Sequence, residues 1–334
     1  MLRIDRCARF LFVLLIIVAA MRSEIARAEI DGLGEDGWHT WQVSAVEAAP
    51  EMCCFSWIRG SVTKNQCDLD GRNSGFSSSD NPATSGDDVR IFALMKAGVA
   101  MKIRLFSSTC PVSANSQIID LGPIETDDSV EWLQRRVSDG GDIRSNAIAA
   151  IAVHEGRKAR DALVDLARPG NDEDDREDAI FWMGQVRIDE LGAELKRFVI
   201  DDNSPDIREH AAFSYSQSRA TDVADVLIQQ GRNDGDPGVR SQAWFWLAQT
   251  AAAESEAAIR GALLDDTDED VREEAVFALS QLPEDRAIKA LATVLEDRQL
   301  GMDIREKALF WLAQTGSEEA FEYIDQLLSD NQDR

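Results

Sequence analysis

The feature that most constrains this chain is an arginine that returns at an almost fixed interval. Arg144, Arg176, Arg208, Arg240, Arg272 and Arg305 are separated by 32, 32, 32, 32 and 33 residues. Other columns keep the same step. Three residues after each arginine stands an alanine: Ala147, Ala179, Ala211, Ala243, Ala275 and Ala308. Nineteen after it stands Leu163, Leu195, Leu227, Ile259, Leu291 or Ile324. Two before it stands Asp142, Asp174, Asp206, Asp270 or Asp303, with Gly238 as the departure. One before it stands Ile143, Ile207, Val239, Val271 or Ile304, with Asp175 as the departure. Repetition at this period implies a stacked array, in which each unit buries its apolar face against its neighbours rather than in one shared core.

Each unit reads as two helices. The aspartate column reads as an N-cap, and Glu177, Glu209, Glu273 and Glu306 follow it at the spacing of a capping box. The first helix should run for three to four turns, with apolar residues at helical period. A short turn follows, as at Gly156, Gly316 or Leu282-Pro283, and the second helix carries the aliphatic column. Acidic joints then link the units: NDEDD from 171, DDNSPD from 201, NDGDPG from 233 and DDTDED from 265. Their lengths do not match a twelve-residue calcium loop, so they read as solvated helix caps and not as metal sites. Just before the first unit, Val130, Leu133 and Val137 share a helical face, which predicts a helix that caps the open end of the stack.

The pattern D-[IV]-R-x-x-A-x-x-x-L, repeated near 32 residues, resembles HEAT-like repeats, in particular the type also found in phycobilisome lyases. The layout of the chain, with its Met52-Cys53-Cys54 segment, resembles exported bacterial HEAT-repeat proteins. The resemblance implies a mainly α fold, a right-handed α-solenoid of six HEAT-like helical hairpins. It also implies a ladder in which the Asp and Arg columns pair between neighbours: Asp142, Arg144, Asp174, Arg176, Asp206, Arg208, Arg240, Asp270, Arg272, Asp303 and Arg305. It does not carry an enzymatic activity with it, because repeat arrays of this kind serve mostly as binding scaffolds.

Residues 1–125 read differently. Arg3, Arg6 and Arg9 precede an uncharged run from Phe10 to Met21, and Ala26-Arg27-Ala28 offers a small-x-small cleavage site. Residues 1–28 are therefore expected to be a signal peptide. That places the mature chain in the periplasm or outside the cell. Residues 29–125 hold Cys53, Cys54, Cys67 and Cys110, an even number that favours disulfides in an exported chain. Adjacent cysteines fit disulfide geometry badly, so Cys53 and Cys54 should bond to Cys67 and Cys110, in either order. No Cys-x2-Cys knuckle supports a zinc site. Val89 to Ser108 reads as a hairpin turning near Ala97-Gly98, Gln117–Leu121 and Trp38–Val46 read as further strands, and Asp68 to Pro82 as a loop. The expected organisation is thus a signal peptide (1–28), a small β-rich, cysteine-containing domain (29–125), a capping helix and linker (126–141) and the repeat solenoid (142–334).

Charge narrows the partners. The chain has 35 basic and 61 acidic residues, a formal charge of −26. Such a chain repels phosphate backbones, so nucleic acid is not an expected partner, and no segment after the signal approaches membrane length. His39, His154 and His210 lie far apart in sequence, and no nucleophile–base spacing or phosphate-binding glycine loop is present. No catalytic residue, metal ligand or cofactor is therefore assigned. A helical wheel of the first helices puts one unexpected column outward. Five residues after the arginine stand Phe181, Phe213, Phe245, Phe277 and Phe310, and nine after it Gln185, Gln217, Gln249, Gln281 and Gln314. Either these residues grip an extended protein or peptide partner, or each Phe tucks half-buried against the next unit's helix while the Gln column caps or bridges first helices. Trp182, Trp246 and Trp311, one residue after the Phe, read as packing between repeats. The function expected is a protein-binding scaffold of the cell envelope; the alternative is a lyase or chromophore-attachment-like enzyme.

Overall fold

The computed structural model describes residues 30, 33–58, 61–71, 88–250, 252 and 254–332. The expected signal peptide and most of the 68–82 loop lie outside these residues. The chain divides into two compact units, residues 1–187 and 188–334.

The first unit begins with strands β1 (Gly37–Val43), β2 (Cys54–Ile58), β3 (Ser61–Asn65), β4 (Cys67–Asp68), β5 (Val89–Lys96), β6 (Val99–Ser107), β7 (Val112–Ser113) and β8 (Ile118–Pro123). Four of them form a sheet in the order β6-β5-β1-β8, with β1 antiparallel to β5 and parallel to β8. The expected hairpin is β5–β6. Its turn residues Ala97 and Gly98 have φ of 51° and 75°, the left-handed pair that matches the twist of the flanking strands. Its register sets Ile91 opposite Leu105 and Ala93 opposite Ile103, all buried. Disulfides join Cys53 to Cys110 and Cys54 to Cys67, with Cα–Cα separations of 5.5 and 5.3 Å. Cys53, Cys67 and Cys110 share a buried cluster with Trp38, Leu69, Phe92 and Phe106. The Asp68–Gly71 turn helps to hold this cluster. The Asp70 carboxylate accepts from the Asn115 backbone N–H at 2.6 Å and from Trp38 Nε1 at 3.0 Å, and both bonds hold it below the usual carboxylate range.

Thirteen helices follow: α1 (Thr126–Val137), α2 (Gly141–Val153), α3 (Arg157–Leu166) and α4 (Glu173–Val186) in the first unit, then α5 (Ile188–Asp201), α6 (Pro205–Ser216), α7 (Val223–Asn233), α8 (Pro237–Gln249), α9 (Ser255–Asp265), α10 (Glu269–Ser280), α11 (Glu284–Glu296), α12 (Met302–Gln314) and α13 (Glu318–Gln332). The arginine-bearing helices are α2, α4, α6, α8, α10 and α12. All six alanines of the repeat column are fully buried, as are Leu163, Leu195, Leu227, Ile259 and Leu291. A small residue is needed where helices approach closely, and the alanine column supplies it. Gly231 in α7 serves the same end: a Cβ there would lie 2.6 Å from the Trp244 ring of α8.

The caps sit two residues earlier than the aspartate column. Asp172, Asp236 and Asp268 are the N-caps of α4, α8 and α10, and each accepts from the backbone N–H two residues on. Asp174 and Asp270 lie in the first turn, where a carboxylate favours the positive end of the helix dipole without capping it. The capping-box reading of Glu177, Glu209, Glu273 and Glu306 therefore fails. These residues fall beyond the N3 position that a capping box requires.

Helix α1 lies where the cap was expected, with Val130 and Leu133 fully buried and Val137 nearly so. It packs against α2 and α3. A buried chain of hydrogen bonds ties the sheet to these helices. Trp41 Nε1 on β1 donates to Ser129 Oγ on α1 at 2.7 Å, and Ser129 Oγ lies 2.7 Å from His154 Nε2 at the end of α2. His154 Nδ1 lies 2.6 Å from the Ala150 carbonyl, so it carries the proton, and Nε2 accepts from Ser129. Arg187 closes the same end of α2 by donating to the carbonyls of Ala152 and His154.

Burial pushes the His154 imidazole down to about 4, and the nearby Arg187 charge adds to the shift. The unfolded chain takes up this proton near the ordinary value of 6.5, whereas the folded chain resists it until about pH 4. The contribution of His154 to stability is full above pH 6.5 and is lost as pH falls toward 4. Urea unfolding of the wild type should lose about 2 kcal/mol between pH 8 and pH 5 from this group alone. His154→Gln, which cannot take up the proton, should lose correspondingly less over that range. An equal loss in both proteins would show that His154 is not the buried neutral group described.

Candidate functional site

The second unit contains a repeated clip built from its acidic joints. Arg208 donates to both carboxylate oxygens of Asp234 at 2.7 Å and to the Asp202 carbonyl at 2.8 Å. Arg240 repeats the pattern with Asp266, at 2.8 and 2.9 Å, and with the Asp234 carbonyl at 3.0 Å. Each arginine thus grips its own joint through a carbonyl and the following joint through a carboxylate. The same carboxylates accept the backbone N–H of the capping residues: Asp236 N to Asp234 Oδ1 and Asp268 N to Asp266 Oδ1, both at 2.9 Å. The Asp234 and Asp266 side chains are 4% and 10% exposed, so the joints are not merely solvated caps. Burial alone would raise the Asp266 carboxyl, but the Arg240 guanidinium and the Asp268 N–H hold it below the usual range.

The carboxylate of the clip therefore stands six residues before the next arginine, and not two as the Asp and Arg columns implied. Arg144 does reach Asp174, at 2.9 Å, and also Asp175 at 3.3 Å. In its case the residue twenty-six positions on is Gly170, and Asp175 supplies a carboxylate where the other units carry an aliphatic residue. Arg176 donates to the Ala167 carbonyl and Arg305 to the Leu295 carbonyl. Twenty-six residues after Arg272 stands Arg298, so the clip is not repeated there.

The first helices of this unit, α6, α8, α10 and α12, pack side by side. Their Phe and Trp columns form a chain of rings. Phe213 lies 4.8 Å from Trp246, Phe245 lies 4.8 Å from Trp246 and 5.7 Å from Phe277 at 13° between planes, and Phe277 lies 4.8 Å from Trp311. Phe310 meets Trp311 edge-on at 5.0 Å. In the first unit, Phe181 meets Trp182 in the same way at 5.4 Å. Phe181, Phe213, Phe245 and Phe277 are half-buried, whereas Phe310 is 53% exposed. The Phe column therefore joins neighbouring units and still presents ring surface. The Gln column lies at helix C-termini. Gln217 and Gln281 are C-caps, and Gln249 Nε2 reaches Gln281 Oε1 at 3.5 Å. Gln217, Gln249 and Gln314 are exposed, and Gln185 and Gln281 half-exposed.

Two pockets open on this face. One, of about 490 Å³, lies between α8 and α10 and is lined by Phe245, Phe277, Gly238, Glu209, Asp270 and Glu274 among others. The second, of about 400 Å³, is lined by Phe310, Trp311, Glu273, Asp303, Glu306 and Lys307. Lys307 pairs with Glu273 there, which raises the ammonium above its ordinary value. Carboxylate oxygens of Glu269, Glu273 and Asp303 lie within 4.8 Å of one another beside this pair. In the first pocket burial raises the Glu209 carboxyl, and repulsion from Asp206 and Asp236 raises it further. A wheel of one helix could not have revealed these pockets, because their walls come from successive units.

The clip is tested by a double-mutant cycle in urea. Arg240→Ala should cost about 2 kcal/mol, because it leaves a largely buried Asp266 carboxylate without its main partner. Arg240→Ala combined with Asp266→Ala should cost clearly less than the two single changes together. Additive losses would show that the two side chains do not act as a pair.

Comparison with known families supports this architecture. Residues 224–301 match the model for HEAT repeats, and residues 304–330 match the PBS lyase HEAT-like repeat. No curated protein matches the chain. Among solved structures, the chain resembles Escherichia coli YibA at 20% identity, over 60% of this chain and 76% of that one, with a TM-score of 0.36. It resembles the CpcE–CpcF complex of phycocyanin lyase from Nostoc sp. PCC7120 at 19% identity, over 58% and 80%, with a TM-score of 0.32. Kap121p bound to Nup53p is similar at 14% identity, over 56% of this chain and 23% of that one, with a TM-score of 0.37. The chain contains HEAT-like repeats, including a repeat of the PBS lyase type, preceded in sequence by a small β-rich region with two disulfides.

Proposed function

We propose that this protein is a non-enzymatic scaffold that holds an extended protein segment along the first helices of its second unit. The observation that carries this reading is the pair of pockets, about 490 and 400 Å³, opening on successive first helices beside the Phe rings. An extended segment that follows the row of helices meets a Phe ring and a Gln side chain at each step, as repeat scaffolds present recurring positions. Ring surface supplies apolar contact, and the exposed Gln side chains at the helix ends can bond to a peptide backbone. Ser129 and His154 do form a serine–histidine contact, but both are fully buried. It therefore serves the fold and offers no support to the lyase alternative. Two disulfides and the signal-like first 28 residues support a site of action outside the cytoplasm. Among the described residues, no helix is long and apolar enough to cross a membrane.

The reading is tested with Phe245→Leu combined with Phe277→Leu. Leucine keeps apolar bulk between the units but removes the ring faces. The variant should melt within a few degrees of the wild type and lose the proteins that the immobilised wild-type chain captures from an envelope extract. An unchanged set of captured proteins would contradict the proposal.

A further inference from the structure

The two pockets differ in one respect that bears on the partner's chemistry. The α10–α12 pocket contains a cation of the chain's own, Lys307, paired with Glu273 beside Phe310 and Trp311. The α8–α10 pocket has similar aromatic and acidic walls, yet no basic side chain lines it. Glu209, Asp270 and Glu274 face it, together with Phe245 and Phe277. Position 274 corresponds to 307 in the repeat, so a glutamate stands where the next unit places its lysine. The pocket also depends on the single break in the aspartate column. A Cβ at Gly238 would lie 3.0 Å from Glu209 Oε1 and 3.1 Å from Asp236 Oδ1. The absence of a side chain at Gly238 leaves room for Glu209 at the wall.

Resting on the scaffold reading above, we propose that the α8–α10 pocket receives a lysine or arginine side chain of the extended partner. The methylene stem lies against Phe245 and Phe277, and the cationic head takes the place that Lys307 fills one unit later, among the carboxylates of Glu209, Asp270 and Glu274. Aromatic faces attract such a head, and burial of its stem adds apolar contact. The partner is accordingly a cationic peptide segment. The charge of −26 on the chain draws such a segment in and disfavours an acidic one.

The test uses the full chain and three fluorescein-labelled twelve-residue peptides with the same apolar residues: one carries lysine and arginine, one glutamine at those positions, and one glutamate. Anisotropy should show the cationic peptide binding about tenfold or more tighter than the glutamine peptide, with the glutamate peptide weakest. Glu209→Gln with Asp270→Asn and Glu274→Gln should erase the preference for the cationic peptide. Gly238→Leu, which fills the pocket without changing charge, should weaken the cationic peptide by a similar factor. The far-ultraviolet helical signal and the melting temperature verify that both variants fold. Equal binding of the cationic and glutamine peptides overturns the cation pocket. So does a cationic preference that survives in the triple variant or in Gly238→Leu. If the peptides bind equally and lose affinity in the Phe245→Leu, Phe277→Leu variant, the scaffold reading stands without the cation pocket. If no peptide binds at any concentration reached, both readings fall.

Discussion

The second unit depends on the arginine clip. A row of helical hairpins has no common core, so each must be locked to the next by what lies at the joint. Here one guanidinium reaches back to a carbonyl of its own joint and forward to the carboxylate of the following one, as Arg208 does with Asp202 and Asp234 and Arg240 with Asp234 and Asp266. The carboxylate that receives it also orders the backbone leading to the next N-cap. Helix start, joint conformation and unit-to-unit spacing are thereby fixed by one group of side chains. The planar, bidentate geometry of arginine suits this task, and a lysine could not replace it.

With spacing fixed, the first helices present equivalent positions at a constant step, and the properties of the exposed face follow. Rings of the Phe and Trp columns meet across neighbouring helices because the alanine column lets those helices approach. Pockets open between helices where side chains are short or absent, as at Gly238. The first unit is held differently. There the sheet is braced by two disulfides and joined to α1 and α2 by the buried Trp41–Ser129–His154 chain.

Much of this was legible in the sequence. The period, the buried alanine column, the β5–β6 hairpin, a helix just before the first repeat and the grouping of the four cysteines all follow from local pattern, and the structure has each of them. Other features were hidden for identifiable reasons. Two joints contain several acids close together, so pattern alone could not tell the capping Asp172 or Asp268 from a neighbour. The clip carboxylates Asp234 and Asp266 stand at one position of the repeat, but Gly170 and Arg298 occupy it in other units, and an alignment on six arginines passes over it. Gly238 looked like a defect in the aspartate column, because the space it leaves is visible only once the neighbouring unit is in place. Ser129 and Trp41 are 88 residues apart, and no local spacing marks their contact. For the Phe column a single helix leaves two readings open, outward or tucked half-buried against the next unit; in the packed helices Phe213, Phe245 and Phe277 are half-buried and share ring contacts, while Phe310 is exposed.

The central claim, that the first-helix face of the second unit is where a partner lies, is tested most directly by placing a photo-cross-linking residue on each face of this unit. Gln242 is exposed on α8 and lines the α8–α10 pocket, whereas Gln229 is exposed on the second helix α7. In the native host, irradiation should yield protein adducts from position 242 that disappear when Phe245 and Phe277 are also replaced by leucine, and none from position 229. Adducts from position 229 with none from position 242 would place the partner on the other layer of helices and contradict the account.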